Sequence, residues 1–249
     1  MTDELYEKFH SNIKLQKRII SKRSITYRDI VRVINKYKDH CVGNKALDIG
    51  CGCGALSFYL GSIGFDVTGI DISKKAVDIC EQNKKMFELH GCLKFFKLNF
   101  PQENIKGRYD LIICSEVLEH IEDQKKAIRY IKNKLNKNGI VIFSLPSIKS
   151  PLHRLGLSSK HDINVGHLRR YSMDSIYNLI NFSGLRTIEL IETEGILKNF
   201  LFIIGFPLNK ILIRLSNRFL FISSFIFFID DMLLKFFGGS QIILVSKTK

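Results

Sequence analysis

The stretch Lys45-Ala-Leu-Asp-Ile-Gly-Cys-Gly-Cys-Gly54 is a short apolar run with a single acid, followed at once by glycines at 50, 52 and 54. A run of this kind ahead of clustered glycines reads as a buried strand that turns sharply into a helix. Lacking side chains, the glycines allow unusual backbone dihedrals. They also let a ligand lie on bare N–H groups at the helix N-terminus. Apolar runs alternating with helical stretches downstream predict an α/β chain.

Two ligand classes use such a turn. Gly50, Gly52 and Ala55 satisfy the loose G-x-G-x-x-G/A pattern of a dinucleotide site, where a pyrophosphate sits on the turn. Asp48 stands two residues before the first glycine, and a carboxylate beside a pyrophosphate sets like charges against each other in a partly buried pocket. A ligand with a cationic end is favoured there, and S-adenosylmethionine carries an ammonium and a sulfonium. The pattern apolar-apolar-Asp-apolar-Gly-x-Gly-x-Gly resembles the first motif of class I S-adenosylmethionine-dependent methyltransferases. A glycine-rich turn that holds no ligand is the plainer alternative.

The 249 residues suit one α/β domain with additions, and a hydrophobic content of 45% excludes general disorder. Cys41, Cys51, Cys53, Cys80, Cys92 and Cys114 are scattered through apparent strands and the glycine turn, as reduced thiols of a cytosolic protein are. Cys51-x-Cys53 is too tight and too solitary for a zinc knuckle. The opening residues Met1 to Lys8 are polar and show no signal-peptide pattern, so a cytoplasmic location is expected. A net charge of +14 points to an anionic partner, or to a compositional bias towards lysine.

Residues 1–44 read as an N-terminal helical cap. Ile30, Val31, Val33 and Ile34 give it an apolar face, and Lys14, Lys17, Arg18, Lys22 and Arg23 a basic approach. After the first strand, a helix runs from Ala55 to Ile63 and a second strand from Phe65 to Asp71. Asp71 lies about 20 residues beyond the first glycine, where a carboxylate can accept both ribose hydroxyls of an adenosine. Ser73 is a helix N-cap for a helix to about His90. A third strand spans Leu93 to Asn99 and a fourth Arg108 to Ser115.

Ser115-Glu-Val-Leu-Glu-His120 follows, and it resembles the corresponding segment of small-molecule methyltransferases, including those that methylate polyprenyl hydroxybenzoates in quinone biosynthesis. Nucleic-acid amino-methyltransferases carry an N/D-P-P-Y type segment there to grip a flipped base. Its absence argues against nucleic acid as a partner. The resemblance implies a doubly wound, seven-stranded, mostly parallel sheet with its last strand antiparallel. It also implies a cofactor pocket made of Asp48, Gly50, Gly52, Gly54, Asp71, Ile72, Asn99, Phe100 and Ser115. Asn99 stands where the family often has an aspartate for the adenine amino group, and its amide can accept the same bond. Phe100 is read as a neighbour of the base or as core.

Glu116, Glu119 and His120 fall at i, i+3 and i+4, so a helix would set all three on one face. Such a face can hold a divalent metal that lowers a phenol's pKa, or it can be a surface-charge arrangement. His120 is also a candidate base. A helix from Gln124 to Leu135, the turn Lys137-Asn-Gly139 and a fifth strand, Ile140 to Leu145, come next. The polar loop 147–165 leads to Gly166-His-Leu-Arg-Arg-Tyr-Ser172 and a helix to about Phe182. Here His167 is a second catalytic candidate and Arg169 or Arg170 a holder of an anionic group. Anchoring of the loop by Tyr171 and His167 is the alternative.

A sixth strand runs from Arg186 to Thr193 and a seventh from Gln241 to Ser246, giving a core of residues 45–193 and 241–249. The intervening insertion, residues 194–240, has apolar runs at 199–209 and 219–229 separated by Lys210, Arg214 and Arg218. Both runs fall short of the roughly 20 residues of a spanning helix. Interleaved with cations, they suit helices at an anionic membrane surface on its inner face, or a roof over a lipid-like substrate. A hydrophobic cap or a dimer contact fits as well. The expectation is methyl transfer to oxygen of a small amphipathic or prenylated molecule. A nicotinamide-dependent reductase and a non-catalytic binding module stay open as rivals.

Overall fold

The computed structural model describes residues 7, 19–21, 24–203 and 220–248. Its sheet has seven strands: β1 (Lys45–Ile49), β2 (Asp66–Asp71), β3 (Leu93–Lys97), β4 (Tyr109–Ser115), β5 (Leu135–Pro146), β6 (Leu185–Thr193) and β7 (Gln241–Thr248). They lie in the order β3-β2-β1-β4-β5-β7-β6, parallel except that β7 runs antiparallel between β5 and β6. The strand order reverses between β1 and β4, which makes that edge the place for a ligand.

Alternation along the strands assigns side chains to two cores. Ala46, Leu111 and Ile113 face one, and Leu47, Ile49, Ile112 and Cys114 the other. The first is covered by α1 (Arg28–Tyr37), α2 (Ala55–Ser62) and α3 (Lys74–Lys84), through Ile30 and Ile34 of α1 and Phe58 and Leu60 of α2. The second is covered by α4 (Gln124–Lys134), which contributes Ile128 and Ile131. Complete burial of a side chain such as Ile128 contributes about 1.5–3 kcal/mol. After β5 come α5 (Pro151–Arg154), α6 (Ser159–Val165) and α7 (Met173–Phe182), the last packing Ile176 and Ile180 on the second core. Ser73 caps α3 as expected, its Oγ accepting from Ala76 N at 3.1 Å.

Three local expectations change. α3 stops at Lys84 rather than near His90. β5 begins directly after α4, and the Lys137-Asn-Gly139 turn signal is a bulge inside the strand, with Asn138 at φ 65° and the register shifted between Tyr109 and Leu111. Residues 147–165 contain the short helices α5 and α6 where an irregular loop is expected. The insertion supplies α8 (Ile196–Ile203) and α9 (Leu220–Phe237). Its cations Lys210, Arg214 and Arg218 lie outside the described residues, as do Lys14, Lys17, Arg18, Lys22 and Arg23. Among the described residues no helix is long and apolar enough to cross a membrane.

Candidate functional site

β1 delivers the glycine turn to the sheet edge. Gly50, Gly52 and Gly54 have φ of 67°, 50° and 87°, a region that side chains other than glycine's avoid. A Cβ on Gly50 would lie 2.3 Å from Cγ2 of Val117, so the turn touches the segment that follows β4. Gly50 N and Cys51 N donate to Ile70 O at 2.8 and 3.0 Å, which ties the turn to the end of β2. There the buried Asp71 accepts from Gly52 N at 2.8 Å and Ser73 N at 2.9 Å.

Asp48 is 2% exposed and accepts from Ser57 Oγ at 2.6 Å. Burial pushes its pKa up to about 7. Tyr27, at the N-cap of α1, packs against the first core. Burial and the charges of Asp48 and Cys53 raise its hydroxyl pKa, which places that hydroxyl among the groups of the turn. Sequence reading misses Tyr27, whose only signal is its place one turn ahead of the apolar face of α1. Ile72 is half-buried next to Asp71, and Ser115 half-buried at the end of β4. Asn99 is exposed in the turn after β3, its carbonyl accepting from Gln102 N and Glu103 N at 2.9 Å. Phe100 takes the core alternative: it is 8% exposed and meets the Tyr130 ring edge-on at 5.1 Å.

Beyond Val117, which touches the turn, the chain gathers several ionisable groups. Glu119 is fully buried, and neither carboxylate oxygen has a hydrogen-bond partner. His120 Nε2 stands 3.9 Å and His167 Nε2 3.8 Å from Glu119 Oε1, with the two rings 5.0 Å apart. His120 Nδ1 meets Gly166 O at 3.0 Å and His167 Nδ1 meets Asp162 Oδ1 at 3.1 Å. Burial lowers the pKa of both imidazoles, that of His167 to about 4, while burial and the charge of Glu116 raise that of Glu119.

Glu119, His120 and His167 can each offer a ligand atom within 4.8 Å of the others. Glu116, expected as a third member on a helical face, is not one of these three, although its carboxyl lies close enough to that of Glu119 for each to shift the other. Its backbone is left-handed, φ 55°, and only residues 118–120 form a helical turn, of the tighter 3₁₀ kind, so the i, i+3, i+4 face does not form. His167, from the loop ahead of α7, takes its place. Glu116 is exposed as a residue, yet its carboxyl end stands among Gln241, Glu194 and Glu119, where loss of solvent and the Glu194 charge push its pKa up to about 7. Glu194, at the end of β6 and also left-handed with φ 60°, is a second residue that sequence reading misses.

The two arginines have internal partners. Arg170 grips Asp162 with bonds of 2.8 and 2.6 Å, and Arg169 donates to Ile121 O at 2.8 Å. Both guanidiniums are thus engaged within the protein. Tyr171 anchors the loop, 3% exposed, with Gln124 donating to its hydroxyl.

Comparison with known proteins bears on the family and the fold. The ubiquinone biosynthesis O-methyltransferase of Bordetella avium (strain 197N) is 35% identical over 109 residues, 41% of this chain and 42% of the relative. The mitochondrial ubiquinone biosynthesis O-methyltransferase of Schizosaccharomyces pombe is 27% identical over 128 residues, 51% of this chain and 47% of the relative. The chain thus spans about half the length of the curated relatives it matches. Magnesium protoporphyrin IX methyltransferase from Synechocystis PCC 6803, solved with bound SAH, shares the fold at a TM-score of 0.60 and 16% identity, over 99% of this chain and 94% of that one. The family described as Methyltransferase domain matches residues 22–190, from the approach to α1 into β6, and the chain belongs to it.

Proposed function

We propose that this protein transfers the methyl group of S-adenosylmethionine to an oxygen of a small amphipathic molecule. The observation that carries the reading is the contact between the glycine turn and the segment after β4, which brings the turn, with the buried Asp48 and Asp71, next to the segment that bears Glu119 and His120. In this reading Asp48 faces the cationic methionine end, Asp71 takes the ribose hydroxyls, and Asn99 and Ile72 flank the adenine. The sulfonium is already activated, so most of the work is alignment of two reactants. Oxygen as acceptor is supported by the partial similarity to proteins named ubiquinone biosynthesis O-methyltransferases. Isothermal titration with S-adenosylmethionine and NADH, followed by mass spectrometry of products from a methyl-labelled donor in cell extract, tests it. NADH binding without S-adenosylmethionine binding overturns the cofactor, and a labelled N-methyl product overturns the acceptor atom.

The orphaned carboxylate of Glu119 favours one addition. Its oxygens, with His120 and His167, match the mixed oxygen and nitrogen donors of a divalent ion, and both imidazoles are neutral as ligands must be. Such an ion would lower the pKa of an acceptor hydroxyl.

An anionic membrane surface is the partner we infer, with the protein peripheral on a cytoplasmic face. Phe225, Phe228, Met232 and Phe236 form one stripe of α9 and are 57%, 69%, 47% and 77% exposed. Lys235 stands beside the stripe, while Asp231 pairs with Arg28 and Asp230 is buried. An aromatic stripe flanked by a cation suits a helix lying in a membrane interface.

A further inference from the structure

Tyr27, Arg28 and Asp29 are consecutive, yet they reach three different parts of the molecule. Tyr27 packs against the core layer that includes Cys51 of the glycine turn, close enough to Asp48 and Cys53 for their charges to act on its hydroxyl. Arg28 pairs with Asp231 of α9 through bonds of 3.2 and 2.5 Å and lies 4.3 Å over the Phe227 ring. Asp29 accepts from Lys198 Nζ of α8 at 2.7 Å.

Lys198 is 0% exposed, with Glu194 Oε1 as a second partner at 3.5 Å. An ammonium so placed depends on its carboxylates, and removing either side leaves an uncompensated buried charge. Asp230 locks the same corner by accepting from Gly195 N at 2.8 Å and Lys198 N at 3.0 Å. The insertion therefore grips the first turn of α1 with two ion pairs and an aromatic contact.

We propose that the insertion positions Tyr27 for cofactor binding: Lys198 and Asp231 hold the first turn of α1, and Tyr27, one residue earlier, closes the pocket over Asp48. Tyr27 would touch the cofactor, while Lys198, Arg28 and Asp29 are positioning residues. Anything that engages the inserted helices is then coupled to affinity for the methyl donor, and the donor to that engagement by the same factor. This rests on the cofactor reading above.

The test is a double-mutant cycle with S-adenosylhomocysteine as the probe, read by isothermal titration on the full chain. Lys198→Met and Tyr27→Ala are each expected to weaken binding about tenfold. The double variant is expected to bind no more weakly than the weaker single, because Lys198 acts through Tyr27. Arg28→Gln, which removes the contacts with Asp231, Phe227 and its own neighbour Asp29 but leaves Lys198 paired, supplies the same comparison if Lys198→Met does not fold. Additive losses, or unchanged affinity in a folded Lys198 or Arg28 variant, overturn the coupling. Unchanged affinity in Tyr27→Ala overturns the role of Tyr27 while leaving the cofactor reading intact. A wild-type chain that binds no S-adenosylhomocysteine overturns both.

Discussion

His167 and Asp162 meet at 3.1 Å, Nδ1 to Oδ1, and this contact decides which imidazole nitrogen faces Glu119. Burial works to raise the pKa of Asp162, but the Arg170 guanidinium outweighs it and holds the carboxyl below its usual range. An ionised carboxylate only accepts, so Nδ1 carries the proton and Nε2 the lone pair. Asp162 thereby does for His167 what a carboxylate behind a metal-bound histidine does, fixing tautomer and ring orientation.

Asp162→Asn is accordingly expected to weaken Mn²⁺ binding by roughly 10–100-fold. Titration calorimetry on the full chain measures this, with Glu119→Gln as a comparison that removes the charged donor. Equal Mn²⁺ affinity in wild type and both variants would count against a metal at this cluster.

Asp48 gives a pH dependence with a definite sign. With its pKa raised to about 7 by burial, the carboxyl is mostly protonated at pH 6 and mostly ionised at pH 8. A cationic cofactor prefers the ionised form, so affinity for S-adenosylmethionine should rise about tenfold over that interval. Asp48→Asn should flatten the profile and bind weakly throughout. For the cofactor-free chain the linkage has the opposite sense. A folded-state pKa above the ordinary 3.8 contributes stability in acid that is lost as pH rises towards about 7. Asp48→Asn is thus expected to melt higher than wild type at pH 8, and a lower Tm would show that the carboxylate is well solvated.

Gly50 tests the turn itself. An alanine there must hold φ 67° and also place its Cβ 2.3 Å from Val117 Cγ2. The backbone alone costs about 1–2 kcal/mol, and the clash adds to it. Urea unfolding should show Gly50→Ala destabilised by about 1–3 kcal/mol, with part of the loss recovered in the Gly50→Ala, Val117→Ala double variant. Failure of Val117→Ala to recover anything would mean that the strain is wholly in the backbone.

Features set by neighbours in sequence were legible from the chain alone. The glycine turn and the Ser73 cap follow from residues a few positions apart, and the place of Asp71 from its spacing of about 20 residues beyond the first glycine. Features made by distant pairings were not. His167 reaches Glu119 and His120 because Gly166 O meets His120 Nδ1 across 46 residues, and Lys198 reaches Asp29 across 169. The helical face proposed for Glu116, Glu119 and His120 failed for a local reason. The left-handed backbone at Glu116 breaks the period on which that reading depended, and nothing in a Glu-Val pair announces it.

The insertion is best tested by point substitutions on its exposed face, since deleting it would strand Asp29 without Lys198. Phe228 and Phe236 are 69% and 77% exposed and belong to the aromatic stripe of α9. Changing both to aspartate removes apolar area and adds negative charge, two effects that oppose docking on an anionic interface. Wild type is expected to float with phosphatidylglycerol vesicles, less so as salt is raised from about 0.05 to 0.5 M because the screening length shortens. The Phe228→Asp, Phe236→Asp variant should stay at the bottom of the gradient with its melting temperature unchanged. Equal flotation of the two proteins would move the membrane contact elsewhere, and failure of both would leave the stripe of α9 to a different apolar partner.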